Sequence, residues 1–284
     1  MNRLLPILAS LLLPFSAIAQ TSGPQSGSLV IVGGGMRDLS ILQTFAELAG
    51  GLDAPIVVIP TAGGADEYDD NWRGLRQFRQ AGLTNLTLLH TYDPAVADTD
   101  GFVSAINQAR GVWFGGGRQW RLADSYLHNK THDALLALME RGGVIGGSSA
   151  GATILGSYLA RGDTRSNTVM MGDHVEGFGF LNNVAIDQHM LRRNRQFDLL
   201  EIIEAKPELL GIGLDEDTAI VVQGDRFRVI GQSYVAIFDH NRTLDSGGKF
   251  YFIEPGDEYD LVERQAYRPQ RVMQPLERVV KQNW

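Results

Sequence analysis

The sequence predicts an α/β fold built on a mainly parallel, doubly wound sheet with a β-rich C-terminal extension, and three observations support this prediction. Short apolar runs rich in β-branched residues alternate with segments of helical length. These runs lack polar alternation, which is typical of strands covered on both faces. Several of them end in glycine or proline, as expected where a strand enters a tight turn. Because such sheets carry their sites beyond the carboxyl ends of the strands, we expect the chemistry there.

The predicted elements follow one another in regular order. Strands are predicted at residues 29–32, 56–59, 86–89, 111–114 and 144–146. Helices are predicted at about residues 39–49, 72–81, 105–110 and 124–140, so that strands and helices form βαβ units. In the last third, short strands predicted at residues 219–222, 227–230, 235–238 and 250–253 form the β-rich extension, which begins at about residue 219.

The N-terminus has the three regions of a secretory signal peptide. Arg3 precedes an apolar run at residues 4–15, and Ala17 and Ala19 follow as the small residues of a cleavage site. The run is shorter than the about 20 residues that cross a bilayer, so we predict no stable membrane insertion, with a retained anchor as the alternative. We therefore assign residues 1–19 to a signal peptide and residues 20–284 to one domain that is secreted or periplasmic.

The composition excludes several classes of function. The chain has 33 acidic and 25 basic residues, and loss of Arg3 with the signal peptide leaves 33 against 24, a net charge of −9. Nucleic-acid binding needs clustered lysine and arginine, which this acidic chain does not offer as a stripe. The absence of cysteine excludes disulfides, a thiol nucleophile and a thiolate metal site. We predict no cofactor.

The best candidate nucleophile is Ser149. Residues 142–155 run from a predicted strand through small residues into an apolar helical segment, which is the order that a serine on a strained strand-to-helix turn requires. Gly147 and Gly151 lie two residues to either side of Ser149, whereas Ser148 has no such symmetric pair. The amide of Ala150, at the start of the helix, is a candidate oxyanion donor. The alternative is a turn whose small residues only allow close packing.

A serine nucleophile needs a histidine base, and His189 is the best of six candidates. It follows a strand predicted at residues 184–186, where the site of a parallel sheet lies. His128 and His132 are four residues apart, with Asp124 one turn earlier, which is a spacing that could bind zinc on a helix. The glutamate of a zinc-protease helix motif is missing there, so we interpret this face as solvated and predict no metal site.

The histidine in turn needs a carboxylate that fixes its tautomer. Asp215, Glu216 and Asp217 directly follow a short strand predicted at residues 211–214. Adjacent carboxylates at a strand end are costly unless some of them are paired, which favours a functional role over a solvated loop. From the residues alone the three acids are nearly equivalent candidates.

Two further segments suggest a substrate pocket. Gly116 and Gly117 end the fourth predicted strand, and the amide of either could be the second oxyanion donor, although a plain glycine turn explains them equally well. Arg193 lies four residues beyond His189, so on a helix it would share that face and, with Arg192 and Arg195, could bind a substrate carboxylate. The alternative is a basic, solvated helix start.

Two other segments receive weaker interpretations. The glycines at residues 33–35 resemble a dinucleotide-binding loop, but Asp38 stands where the last glycine of that motif belongs, so we reject nucleotide binding. The acidic residues at 66–70 could hold a cationic substrate group, and we interpret them as a solvated loop.

Taken together, four segments resemble the cyanophycinase family, which is related to the aspartyl dipeptidases. These segments are residues 114–119, residues 147–152, residues 187–189 with Arg193 and Arg195, and residues 211–219. The resemblance covers about residues 29–240. It implies a fold like that of class I glutamine amidotransferases, which is flavodoxin-like, and a homodimer.

The resemblance also implies the roles of individual residues. It implies a Ser-His-Glu triad that falls on Ser149, His189 and Glu216, which is our reason for choosing Glu216 among the three acids. It implies that the substrate pocket is shaped by Gln119, Asp187, Gln188, Arg193 and Arg195. The substrate so implied is cyanophycin, a poly-aspartate backbone with arginine on each β-carboxyl group, which is cut to β-aspartyl-arginine dipeptides.

Two departures from the family pattern bear on the substrate. Arg118 stands where an aspartate is expected before Gln119, and Asp198 stands where a further arginine is expected after Arg195. Charge reversals near a pocket could redirect specificity toward another α- or β-aspartyl peptide. The sequence therefore leaves a dipeptidase as the alternative enzyme, and a catalytically silent peptide-binding protein as the alternative of another class.

Overall fold

A computed structural model describes residues 20–242 and 244–269, and the signal peptide predicted at residues 1–19 lies outside these residues. The strands are β1 (Ser28–Val32), β2 (Ile56–Ile59), β3 (Leu86–Leu88), β4 (Gly111–Phe114), β5 (Val144–Ser148), β6 (Gly156–Tyr158), β7 (Leu181–Gln188), β8 (Leu210–Leu214), β9 (Thr218–Gln223), β10 (Arg226–Gly231), β11 (Val235–Asp239), β12 (Phe250–Ile253), β13 (Glu258–Asp260) and β14 (Gln265–Tyr267). The helices are α1 (Ser40–Ala49), α2 (Leu75–Gln80), α3 (Pro94–Ala97), α4 (Asp100–Gln108), α5 (Gln119–Tyr126), α6 (Lys130–Glu140), α7 (Ala150–Thr153) and α8 (Leu199–Ala205), and a 3₁₀ turn spans Thr61–Gly63.

The strands of the first half of the chain form the parallel half of a nine-stranded sheet. Strands β1, β5, β4, β2 and β3 lie side by side in this order, and each neighbouring pair is parallel. Beyond β1 the sheet continues with β9, β10, β13 and β14, all antiparallel to their neighbours. The predicted α/β class, with its β-rich C-terminal region, is confirmed.

The second half of the chain also forms a five-stranded sheet that the sequence did not predict. Its order is β12, β11, β8, β7 and β6, with parallel pairs between β6, β7 and β8 and antiparallel pairs beyond β8. The late strands therefore do not form one extension, because they are shared between the two sheets. As β7 and β8 are parallel, their carboxyl ends deliver residues 188–190 and 214–216 to the same place.

Alternate residues of the central strands pack into different cores, as a doubly wound sheet requires. Val30 and Val32 of β1 pack with Phe45 of α1 on one face. Leu29 and Ile31 face the opposite core, which also holds inward residues of the five-stranded sheet. Both faces of β1, β2 and β4 are thus buried, which explains why these strands are almost continuously apolar, whereas the edge strand β3 is partly exposed. Within residues 20–242 and 244–269, the longest helices are too short or too polar to cross a membrane.

The helix predicted at residues 124–140 is two helices, α5 and α6. Asn129 lies between them as the N-cap of α6 and accepts a hydrogen bond from the amide of Thr131 through its side chain. His128 has a φ of 58° and therefore does not share a helical face with His132. His128 contacts Glu176, and the ring of His132 contacts the carbonyl of Phe178. The prediction that these residues share one helix is therefore wrong.

The junction between β5 and α7 is packed too tightly for any side chain at Gly147. A Cβ atom there would overlap the carbonyl group of Gly151 and lie 3.1 Å from the amide nitrogen of Ala152. These are backbone atoms of the next turn, which cannot move aside without shifting α7. Ser149 therefore owes its position to the close contact of the two segments that flank it.

We predict that Gly147→Ala lowers the free energy of unfolding by about 2 kcal/mol or more, because the new methyl group meets backbone atoms. Gly101→Ala is the matched control, since Gly101 lies in α4 with no atom within 4 Å of the added Cβ. This control should raise the free energy of unfolding by up to about 1 kcal/mol through helix propensity. Denaturant titration measures both values, and equal stability of the two variants would contradict the packing argument.

Candidate active site

Ser149 occupies the turn between β5 and α7 in a strained conformation. Its φ and ψ are 59° and −114°, and a positive φ is uncommon for a residue with a side chain. The amide of Ser149 donates to the carbonyl of Val32 at the end of β1, at 3.0 Å. This bond holds the serine in the strained conformation and directs its hydroxyl toward the residues that follow β7.

His189 directly follows β7 and meets the serine. Its Nε2 lies 2.9 Å from Oγ of Ser149. His189 also has a positive φ, 54°, and its amide donates to the carbonyl of Gly33 at 2.9 Å. Gly34 lies beneath the imidazole, where a Cβ atom would be 2.6 Å from Nε2. Only glycine at this position leaves room for the ring.

Glu216 contacts the other nitrogen of the imidazole. Its Oε1 lies 2.7 Å from Nδ1 of His189. Since a carboxylate only accepts hydrogen bonds, Nδ1 carries the proton, and Nε2 is left to accept the hydroxyl proton of Ser149. Gly35 lies beneath the carboxyl group, where a Cβ atom would be 2.5 Å from Cδ of Glu216. The three side chains thus form one hydrogen-bonded line, which we call the serine–histidine–glutamate line.

The two acids next to Glu216 fix the loops around this line. Asp215 accepts hydrogen bonds from the amides of Leu191 and Arg192, at 3.0 and 2.9 Å, and so holds the turn after His189. Asp217 accepts from the amides of Arg37 and Asp38, both at 2.7 Å, and so holds the glycine loop after β1. The structure therefore shows different contacts for three acids that were nearly equivalent candidates from the sequence alone.

Burial lowers the pKa of His189 below its ordinary value of 6.5. The positive charges of Arg193 and Arg195 lower this pKa further, whereas the hydrogen bond to Glu216 and its charge raise it. The net result is a pKa below the ordinary value, so the imidazole is neutral at neutral pH and its Nε2 can accept a proton.

Three backbone amides at the site have no hydrogen-bond partner within the described residues. They belong to Gly116, Gly117 and Ala150, the predicted oxyanion donors. Gly116 is exposed and adjoins the serine, since a Cβ atom on it would be 3.8 Å from Oγ of Ser149. Ala150 is the first residue of α7. Unpartnered amides beside a hydroxyl can stabilise a negative oxygen that forms there.

The predicted pocket residues have different surroundings. The side chain of Gln119 is buried and donates to the carbonyls of Ala160 and Arg161, at 2.7 and 3.0 Å. Asp187 is buried and paired with Arg161. These two side chains therefore bind the segment after β6 instead of facing an open cavity.

The other predicted pocket residues lie at the end of β7 and on the turn that follows it. Arg195 donates to the backbone carbonyl and the side-chain oxygen of Gln188, at 3.3 and 3.1 Å. Arg193 is exposed, and its amide donates to the carbonyl of His189 at 3.0 Å. The helix that we expected to carry Arg193 does not form there, because Asn194 has a φ of 54° and the chain continues as turns up to α8.

Sequence reasoning missed two contributors to the site. It treated the loop at residues 33–35 only as a rejected nucleotide motif, although this loop supports both His189 and Glu216. Its position directly after a buried strand could have indicated that role. It also missed Arg161, which lies in the segment between β6 and β7, where no pattern distinguishes it.

Comparisons with known proteins agree with the architecture. A model of peptidase family S51 matches residues 29–230. The cyanophycinase of Synechococcus elongatus is 34% identical over 238 residues, which cover 80% of this chain and 72% of the relative. The cyanophycinase of Geminocystis herdmanii is 33% identical over 220 residues, covering 75% of this chain and 80% of the relative. The crystal structure of a peptidase from an acI-B1 actinobacterium superimposes with a TM-score of 0.65 and 25% identity, over 84% of this chain and 98% of that one.

We predict that Glu216→Gln lowers the pKa of His189 further, because the hydrogen bond to a charged acceptor and the negative charge that raise it are lost. NMR titration of the imidazole signals measures this pKa. His174 serves as a reference in the same spectra, since burial would lower its pKa but Asp173 and Asp124 hold it above 6.5, and the pKa of His174 should not change. An unchanged or increased pKa of His189 would contradict the assigned contact.

Proposed function

The chain belongs to peptidase family S51 and is a serine-type peptidase, and from this premise we propose that Ser149, His189 and Glu216 are its catalytic triad. The observation that carries the proposal is the line of two hydrogen bonds, 2.9 Å from Oγ of Ser149 to His189 and 2.7 Å from His189 to Glu216. The turn at Ser149 corresponds to a nucleophile elbow, because a residue with positive φ lies between a strand and a helix.

The reaction proceeds through an acyl-enzyme. Oγ of Ser149 attacks the scissile carbonyl carbon, and its proton moves to Nε2 of His189. The amides of Gly116, Gly117 and Ala150 stabilise the negative oxygen of the tetrahedral intermediate. His189 then gives the proton to the leaving amine, and a water molecule, deprotonated by the same imidazole, hydrolyses the ester. The charge of Glu216 stabilises the imidazolium during both steps.

The proposed substrate is cyanophycin, which is cut to β-aspartyl-arginine dipeptides. This proposal rests on the name shared by the relatives, cyanophycinase, and on the four sequence segments that resemble that family. Gln188 ends β7, and Arg193 and Arg195 lie on the turn after it. Arg193 is exposed to a substrate, whereas Gln119 and Asp187 shape the pocket from behind through Arg161.

The second candidate is a dipeptidase for α- or β-aspartyl peptides. It is favoured by the pairing of Asp187 and Asp198 with Arg161, because a basic substrate group gains little from acids that already have a partner. The alternative of another class is a catalytically silent peptide-binding protein. Covalent labelling distinguishes it from both candidate enzymes. A serine-reactive phosphonate should label Ser149, and the absence of labelling would favour the binding protein.

Residues 1–19 are a signal peptide, and residues 20–284 form one peptidase domain that acts in the periplasm or the medium on polymer released by other cells. The domain forms a homodimer, as the resemblance to the family implies.

We predict that the purified protein releases β-aspartyl-arginine from cyanophycin, and that Ser149→Ala lowers kcat by a factor of about 10⁴ or more, because the nucleophile is lost. Mass spectrometry identifies the products. If native protein releases other aspartyl peptides but no β-aspartyl-arginine, the substrate assignment is wrong and the peptidase mechanism stands. If Ser149→Ala keeps the native rate, the mechanism is wrong.

We also predict that the protein exported from its cell begins at Gln20, because Ala17 and Ala19 provide the small residues of a cleavage site. N-terminal sequencing of the protein from the periplasmic and medium fractions tests this. Replacement of Ala17 and Ala19 by bulky residues should leave the uncleaved chain with the membrane fraction. Recovery of the native protein uncleaved in the cytoplasm would refute the export proposal.

A further inference from the structure

An internal arginine is bound to two acids, Asp187 and Asp198, behind the turn that carries Arg193 and Arg195. The side chains of Arg161 and Asp187 are each only 1% exposed. Nε of Arg161 lies 2.7 Å from Oδ1 of Asp187, and Nη2 lies 2.9 Å from Oδ2, so the pair is bidentate. Nη2 also donates to Oδ2 of Asp198, which lies three residues beyond Arg195. One buried guanidinium therefore pairs with both acids, and these three side chains together carry a net charge of −1.

The surroundings of Arg161 hold this guanidinium in place. Nη1 donates to the carbonyl of Asn167 at 2.9 Å, so all three nitrogens of the guanidinium have acceptors. The backbone carbonyl of Arg161 accepts from the side chain of Gln119 at 3.0 Å, and its amide donates to Met170 at 3.0 Å. A buried ion pair survives only with such complete hydrogen bonding, and removal of one partner leaves an uncompensated charge.

The other two arginines of the pocket have no acidic partner within the described residues. Arg195 is 9% exposed, and its side chain donates only to the neutral acceptors of Gln188. Arg193 is exposed and forms no ion pair among the same residues. Three arginines against Asp187 and Asp198 give this cluster a net charge of +1. This positive charge acts at the site itself, because Arg193 and Arg195 both lower the pKa of His189.

We propose that Arg161 is a specificity-determining residue, which occupies Asp187 and Asp198 as their cationic partner so that the pocket binds a carboxylate of the substrate and not a guanidinium. This inference rests on the proposed peptidase function and specifies which substrate group is recognised. A β-aspartyl-arginine unit offers both groups, the free α-carboxylate and the guanidinium of its arginine. Arg193 and Arg195 bind the carboxylate, and the guanidinium stays in solvent.

Three matched substrates separate the two groups. They are short aspartate oligomers whose β-carboxyl groups carry arginine, citrulline or agmatine. Citrulline keeps the carboxylate and replaces the guanidinium by a neutral group of similar shape, whereas agmatine keeps the guanidinium and lacks the carboxylate. For the purified full-length protein, kcat/KM with citrulline should stay within about threefold of the arginine value, and agmatine should lower it about tenfold or more, as expected for loss of a charge-assisted hydrogen bond. The reverse order overturns the inference.

Variants then test which residues cause the preference for substrates that carry the carboxylate. Arg193→Gln should reduce the ratio between the arginine and agmatine substrates toward one. Arg228→Gln is the matched control, because Arg228 is exposed on β10, and it should keep the native ratio. The double variant Arg161→Gln with Asp198→Asn leaves Asp187 without a cationic partner and should gain a preference for arginine over citrulline. Circular dichroism tests whether it folds. If it does not fold, the kcat/KM values of native protein with the three substrates decide whether the inference holds.

Binding measurements test the carboxylate pocket independently of catalysis. Calorimetry with Ser149→Ala should show tight binding of the arginine and citrulline compounds and at least about tenfold weaker binding of the agmatine compound. This order without hydrolysis by the native protein would refute the proposed peptidase reaction and retain the carboxylate pocket. Equal affinities, or no binding of the compounds that carry the carboxylate, would refute the pocket even if hydrolysis occurs.

Discussion

The site depends on main-chain hydrogen bonds that join the ends of strands from two sheets at the glycine loop after β1. Ser149 donates to Val32, His189 to Gly33, and Asp217 to Gly34, at 3.0, 2.9 and 2.9 Å. Each bond fixes the backbone of a residue in or beside the serine–histidine–glutamate line. Fixing these backbones limits where the three side chains can lie and so helps to hold the two contacts between them.

This arrangement explains why the five-stranded sheet matters to function. The parallel half of the large sheet supplies Ser149 and the glycine loop, but the histidine and the glutamate arrive on β7 and β8. Register pairs Gln188 with Leu214, so the residues that follow both strands leave the sheet side by side. The buried core shared by the two sheets then holds these ends against β1 and β5.

Burial and pairing determine which side chains at the site carry an unpaired charge. Asp215 and Asp217 are satisfied by backbone amides, so Glu216 alone among the three acids faces the imidazole. Burial keeps His189 neutral against the influence of this carboxylate. Behind the turn, Arg161 pairs with Asp187 and Asp198, while Arg193 and Arg195 have no acidic partner among the residues that the structure describes. The same turn therefore combines a neutral imidazole with two arginines that have no acidic partner among the described residues.

The sequence by itself determined the α/β class, the order of the early elements and the short segments from which Ser149 and His189 come, because apolar runs, glycines and local spacing are short-range signals. It could not divide the late strands between two sheets, since strand pairing is set by contacts between distant residues. It also could not choose among Asp215, Glu216 and Asp217, or reveal that Arg161 holds Asp187. Those results depend on which buried groups meet in space, and only the tertiary structure decides how each buried charge is paired.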